Sequence, residues 1–228
     1  YLDELVALSL FPYSNLSLTQ ITTEVGKLSP EIKLEVLDNY IGKRETRRDR
    51  SGRSLEAGYP LTFDLVGCFA EYRDLERHRM LTQQRQMLTP DLGFILPSEM
   101  IEVGLEQKVK EIVDRMTDLN GDIRHAGLEV SAQYATLFNN RLRFMMGMNL
   151  REFQHLSELR TIPQGHFSYR SMVMEMADKA KEAYPVVRKA IEFVNYLDPG
   201  NKIARAKEQS QIAGKNLAKG IDSSADYR

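Results

Sequence analysis

Strict alternation of apolar and polar positions predicts two strands. From Tyr59 to Val66, Leu61, Phe63 and Leu65 alternate with Thr62, Asp64 and Val66; from Arg141 to Met148, Leu142, Phe144, Met146 and Met148 alternate with Arg141, Arg143 and Met145. A period of two sends successive side chains to opposite sheet faces, so each segment has one face suited to burial. Elsewhere the period is helical. Ile101, Leu105, Val109, Ile112 and Met116 predict a helix from a Ser98 cap to about Leu119, and a second pattern covers Ile123 to Phe138. Further helices are predicted over Cys68–Arg77, Leu150–Arg160 (with a Phe153/Leu156/Leu159 stripe), Ser168–Tyr184 and Pro185–Leu197. Near the start Leu2 to Leu10 reads as structured. Ser17 and Ser29 suit helix N-caps, Pro30 and Glu31 suit a first turn, and Gly42 supplies a stop.

Between these elements lie loops: an arginine-rich stretch from Lys43 to Gly58, a break at Thr89-Pro90-Asp91 with Gly93, and a turn at Pro163 and Gly165. Strands mixed with segregated helices indicate an α+β fold rather than a doubly wound sheet. The reading is one domain over residues 1–198, with N-terminal helices in 1–50 and a core in 55–185. A polar extension over 199–228 is expected to pack on a partner or to be partly disordered.

Composition narrows this picture. With 228 residues the chain can bury a sizeable core. A net charge of −1 implies no overall pull toward nucleic acid or an anionic membrane, so no partner of either kind is expected. No apolar run is long enough to span a bilayer, and no signal peptide is expected from the opening residues. The single cysteine, Cys68, excludes an intrachain disulfide and suits a reducing cytoplasm; among Val66, Phe69 and Ala70 it reads as a small buried hydrophobe. The four histidines show no metal-ligand spacing, so no metal site is expected. The methionines at 145, 146, 148, 172, 174 and 176 read as packing residues. Chain start at Tyr1 rather than Met reads as a fragment, a processed product or an incompletely recorded sequence.

Three clusters could carry chemistry. Arg77-His78-Arg79 closes a predicted helix, with Arg73 one turn earlier. Positive charge is favoured at a helix C-terminus, so a solvated helix end is the default reading; a phosphate-binding edge is the alternative, because the guanidinium fork matches phosphate oxygens. Asn149, Arg151, His155, Leu159 and Arg160 lie at a strand-to-helix junction, with Arg151 and His155 four apart on one face. The run of Arg44, Arg47, Arg48, Arg50 and Arg53, with Glu45 and Asp49 interspersed, reads by default as a solvated loop, with folate glutamates or nucleic acid as minority ligands.

The first two clusters resemble the signatures of the flavin-dependent thymidylate synthases, also called thymidylate synthase complementing proteins. That family carries Arg-His-Arg, a serine, and then an Asn-Glu-x-Ser-x-Arg run; here Arg77-His78-Arg79 is intact and Thr82 stands for serine, while Gln84, Arg85, Met87 and Thr89 replace Asn, Glu, Ser and Arg. Of an upstream Glu-His pair Glu56 remains, followed by Ala57; of an Arg-Gln pair Arg73 remains, followed by Asp74. The second signature, Asn-x-Arg, Asn or His, Leu-Arg and Ala-Gln-x-Glu-Ile-Arg, is matched in spacing by Asn149-Leu150-Arg151, His155, Leu159-Arg160 and Gly165 to Arg170, with His166 for Gln and Ser168 for Glu.

The resemblance covers roughly Leu55 to Pro185 and implies a small, mainly antiparallel sheet with flanking helices. It implies FAD held by Arg77, His78, Arg79, Asn149, Arg151 and His155. It also implies dUMP contacts, for which Arg160, Arg73 and Arg85 are candidates, and a site where Gln133 stands for an arginine. The implied reaction is reductive methylation of dUMP to dTMP with methylenetetrahydrofolate and NADPH. The implied assembly is a homo-oligomer, or pairing with a missing N-terminal half, this chain being the C-terminal half of a two-domain member. Two alternatives stand beside it: a non-catalytic or half-site partner domain, and a flavin enzyme with a changed nucleotide substrate.

Overall fold

A computed structural model describes residues 1–14, 16–56 and 61–197, with Ser210 and Gly214. The expected extension over 199–228, and Ala57 to Pro60, therefore lie outside the described residues except at those two positions. The chain divides into two compact units: Tyr1–Leu28 with Arg53–Phe153, and Ser29–Gly52 with Gln154 onward.

The first unit is built on a three-stranded antiparallel sheet of order β1-β3-β2, comprising β1 (Leu61–Cys68), β2 (Thr82–Arg85) and β3 (Arg141–Met148). The central strand β3 pairs Met146 with Phe63 on one side and with Gln83 on the other. Its alternation holds: Leu142, Phe144, Met146 and Met148 are all essentially buried, while Arg141, Arg143 and Met145 are not. Full burial of such side chains is worth about 1.5–3 kcal/mol each. The other face is wet, and there Arg143 Nη1 meets Asp64 Oδ2 at 2.7 Å. The ring of Phe63 stacks on Phe153 at 5.3 Å. The helices α1 (Leu2–Leu10) and α2 (Leu18–Gly26) add Leu5, Val6, Ile21 and Val25 to the core. Ser17 caps α2 in a capping box with Gln20, as its sequence position suggests.

A short helix α4 (Phe69–Leu75) follows β1, with α3 (Pro30–Ile41) belonging to the second unit. The predicted helix from Ser98 to Leu119 is interrupted. It splits into α5 (Ser98–Glu102) and α6 (Glu106–His125), because Gly104 takes the left-handed conformation (φ 71°) that ends a helix. Conversely α6 runs through Asn120-Gly121, where the sequence suggested a break. Asn120 is buried and its Nδ2 donates to Ala132 O at 2.7 Å, and the stop falls at Gly127 (φ 75°). Beyond it the expected helix to Phe138 is only α7 (Glu129–Ala132) and a 3-10 turn, Gln133–Ala135. Strand β2 carries no alternation, only Thr-Gln-Gln-Arg, and owes its form to pairing with β3.

In the second unit, α3 has the predicted Ser29 cap and Gly42 stop. Helix α8 (Leu150–Arg160) opens in the first unit and continues in the second, followed by α9 (Phe167–Ala183) and α10 (Val187–Ala190). Leu37, Ile41, Leu156, Val173, Met176 and Ile191 are buried here. The helix predicted from Pro185 to Leu197 stops at Ala190 because side chains at and just beyond the end of α8 take the backbone donors that follow. Phe193 N donates to Glu158 Oε1 at 3.2 Å and Asn195 N to Thr161 Oγ1 at 2.9 Å. The arginine-rich stretch is not uniformly a solvated loop. Arg44 is buried, its Nη1 and Nη2 bonding both oxygens of Glu158 at 2.8 and 2.6 Å, and its guanidinium lies 5.0 Å from the Phe193 ring centre. Arg47, Arg48 and Arg50 are exposed.

Candidate functional site

Helix α4 ends at Leu75, so Arg77-His78-Arg79 lies in the turn after it, held by His78 N donating to Leu75 O at 3.1 Å. The three side chains diverge. His78 is only 7% exposed, and its Nδ1 lies 2.8 Å from Glu152 Oε1, itself buried. Arg77 and Arg79 are exposed. Arg77 is loosely met by Asp74 Oδ1 at 3.6 Å, and Arg73 by Glu76 at 3.1 Å.

The second signature meets the first through α8. Asn149 Oδ1 accepts from Glu152 N at 2.9 Å, which caps the helix and fixes Glu152 where His78 reaches it. Asn149 Nδ2 donates to Glu56 O at 2.9 Å, and Arg151 Nη1 pairs with Glu56 Oε1 at 3.3 Å. His78, Asn149, Arg151, Glu152 and Glu56 thus form one hydrogen-bonded and ion-paired cluster in the first unit. Glu152, a central member, was not singled out from sequence; the Asn149-x-x-Glu152 spacing of a capping box is the signal that could have found it.

His155 and Arg160 lie further along α8, within the second unit. His155 is exposed, and the Arg160 guanidinium sits 5.8 Å from the Tyr169 ring centre. Arg170, last residue of the second signature, is fully buried and donates from Nε to Thr161 O at 3.0 Å and from Nη2 to Leu197 O at 3.1 Å, a structural use. His166 caps α9, its Nδ1 accepting from Ser168 N.

The run from Arg85 to Thr89 lies against Gln133. Gln133 Oε1 accepts from Arg85 Nη1 at 3.2 Å and from Leu88 N at 3.1 Å. Met87, Leu88 and Thr89, with Asn120, Arg124, Glu129 and Ala132, line a pocket of about 80 Å³. Its one lining cation, Arg124, is engaged by Asp91 at 3.3 Å. Cys68 is away from this chemistry: it is buried, and burial pushes its thiol pKa up.

The residues from 48 to 186 match the family model for the thymidylate synthase complementing protein, and the chain belongs to that family. It is similar to a UPF0159 protein of Chlamydia muridarum, 33% identical over 210 residues, which covers 92% of this chain and 39% of that protein. A UPF0159 protein of Chlamydia pneumoniae is 34% identical over 83% of this chain and 35% of its own length, and UPF0159 protein Ta1429 of Thermoplasma acidophilum is 27% identical over 85% and 39%. This chain therefore spans well under half the length of these relatives. The α+β fold with a small antiparallel sheet is the one the resemblance implies. Among the described residues no helix is long and apolar enough to cross a membrane.

Proposed function

We propose that this chain is a flavin-binding thymidylate synthase-type domain, whose reaction is the reductive methylation of dUMP with methylenetetrahydrofolate and NADPH. The observation that carries the reading is the His78–Glu152 hydrogen bond at 2.8 Å, which ties two signatures more than seventy positions apart into one cluster. The donor set fits FAD: Arg77 and Arg79 present exposed guanidiniums, which suit an anionic diphosphate. His78 and Asn149 hold the turn and the helix start that carry them, and Arg151 is oriented by Glu56. His155 belongs to the same proposed flavin set by sequence. When bound, the flavin supplies the redox and one-carbon transfer chemistry, and the protein supplies orientation and charge.

For the nucleotide, Arg85 is the cation nearest the replaced arginine position, because it bonds Gln133 directly. Arg73 and Arg160 are the further candidates.

A second reading is favoured by the 85–89 run. Met87 and Thr89 line a pocket whose only cation is already paired, and Asp74 partly neutralises Arg77. A domain of that kind would hold flavin, or only fold, as the partner of another synthase-type domain. The test is the visible spectrum of the purified chain with FAD, before and after dUMP. Bound flavin that shifts with dUMP supports the synthase reading. Flavin without a dUMP response supports the half-site reading, and no flavin at 100 µM removes both flavin readings, a threshold of about 5 kcal/mol of binding energy.

A further inference from the structure

The loop that follows α3 is tied down at both ends within the second unit. Arg44 holds its start: besides meeting Glu158, its Nη1 donates to Ala190 O at 2.9 Å and its Nε to Asp49 O at 3.0 Å. Ser51 holds its end, buried and accepting from Gln154 Nε2 at 2.9 Å, and any side chain at the next residue, Gly52, would run into the Tyr40 ring. Between these ties the chain folds on itself. Asp49 N donates to Thr46 O at 3.0 Å, which closes a β-turn with Arg47 and Arg48 at its two central positions, and Arg48 N donates to Thr46 Oγ1 at 3.1 Å. The Asp49 carboxylate accepts from Glu45 N and Thr46 N, so it braces the turn rather than pairing with the turn's arginines.

Arg47, Arg48 and Arg50 all stand exposed on this braced crest, and among the described residues none of them has a hydrogen-bond or ion-pair partner for its side chain. Lys43 and Glu45 answer each other at 3.5 Å, and Glu158 answers Arg44, so three guanidiniums face the single carboxylate of Asp49. The chain's net charge of −1 is an average and does not describe this loop. We infer that the crest is a binding surface for the phosphodiester backbone of a nucleic acid duplex. Guanidinium forks match phosphate oxygens, and three of them exposed about one turn meet phosphates set along a chain better than a single small anion, which a recess would enclose. From Lys43 to Ser51 there is no large apolar or aromatic side chain. The loop therefore has nothing to stack on a base, to insert into a bilayer, or to form the apolar centre of a protein interface. Its contact is with the backbone and indifferent to sequence, and it asks for charge on the crest rather than for one arginine at one place. This inference is independent of flavin binding.

Fluorescence anisotropy of the whole chain with a short labelled duplex, DNA in one arm and RNA in the other, tests it. The expected result is binding to at least one of the two that weakens roughly 40-fold between about 50 and 200 mM salt, the mark of about three phosphate contacts. Arg47→Ala, Arg48→Ala and Arg50→Ala should each weaken it equally for unrelated sequences and lower the slope of log affinity against log salt by about one, with melting unchanged. The triple alanine variant should lose binding, and the triple lysine variant should keep most of it. Poly-L-glutamate at matched charge should compete weakly. No binding of either duplex at the lower salt, binding that survives loss of all three arginines, or equal competition by poly-L-glutamate, which would assign the crest to an acidic protein, overturns the proposal.

Discussion

Two arginine clusters in this chain look alike on paper and differ in three dimensions. Arg77 and Arg79 flank a buried histidine and remain exposed, while Arg44, from a run that reads as a solvated loop, is buried on a bidentate carboxylate. The difference lies in the partner. Glu158 sits on the buried side of α8, where it collects Arg44, the Phe193 N–H and, through Arg44, the carbonyl of Ala190. Among the described residues nothing comparable reaches Arg79, and Asp74 meets Arg77 only loosely. A cation's sequence neighbours therefore say little about its role; the carboxylate that meets it, often a hundred positions away, decides whether it holds the fold or faces a ligand.

The contrast can be broken most strongly at Glu158. Glu158→Ala leaves Arg44 buried without its counter-charge and is expected to cost about 3–5 kcal/mol, read as a large fall in melting temperature or loss of soluble protein. Arg47→Ala and Arg48→Ala, on exposed neighbours, should leave melting nearly unchanged. Next comes the His78–Glu152 pair: Glu152→Ala is expected to cost about 1–3 kcal/mol, measured by chemical denaturation, and to lower flavin affinity together with stability. Arg79→Ala sharpens the comparison from the other side. Melting should be unaffected while FAD binding, followed by absorbance titration, weakens by roughly tenfold to a hundredfold.

The smallest effect concerns Asp49. Backbone N–H groups of Thr46 and Glu45 donate to its carboxylate at 2.7 and 2.8 Å and hold its pKa below the usual range. A lowered carboxylate contributes above its unfolded pKa and loses that contribution as pH falls through the folded one. Protection of the Thr46 and Glu45 amides from exchange, relative to their intrinsic rate at each pH, should accordingly be lost only toward strong acid.

The sheet's centre was legible because β3 alternates cleanly, and the capped helices α2 and α3 because Ser17, Ser29 and Gly42 act locally. What escaped depends on contacts distant in sequence. Strand β2 has no pattern of its own, and the end of α10 is set by Glu158 and Thr161. In the candidate site the arginine and asparagine positions were visible as motifs, whereas Glu152 was not. Its importance comes from His78, seventy-four positions away, and a carboxylate in a first helical turn is otherwise unremarked. The pairing of Arg85 with Gln133 was likewise hidden, since β2 has no pattern and the helical pattern read over Ile123–Phe138 says nothing of what Gln133 meets.

The Arg44–Glu158 clasp also constrains how this sequence can change over time. Either residue altered alone strands a charge, so a lineage can leave the pair only through a poorly folding intermediate or by a coincident double change. Arg44 is thus expected to drift far more slowly among descendants than Arg47, Arg48 or Arg50 beside it, and to change in step with position 158 when it changes at all.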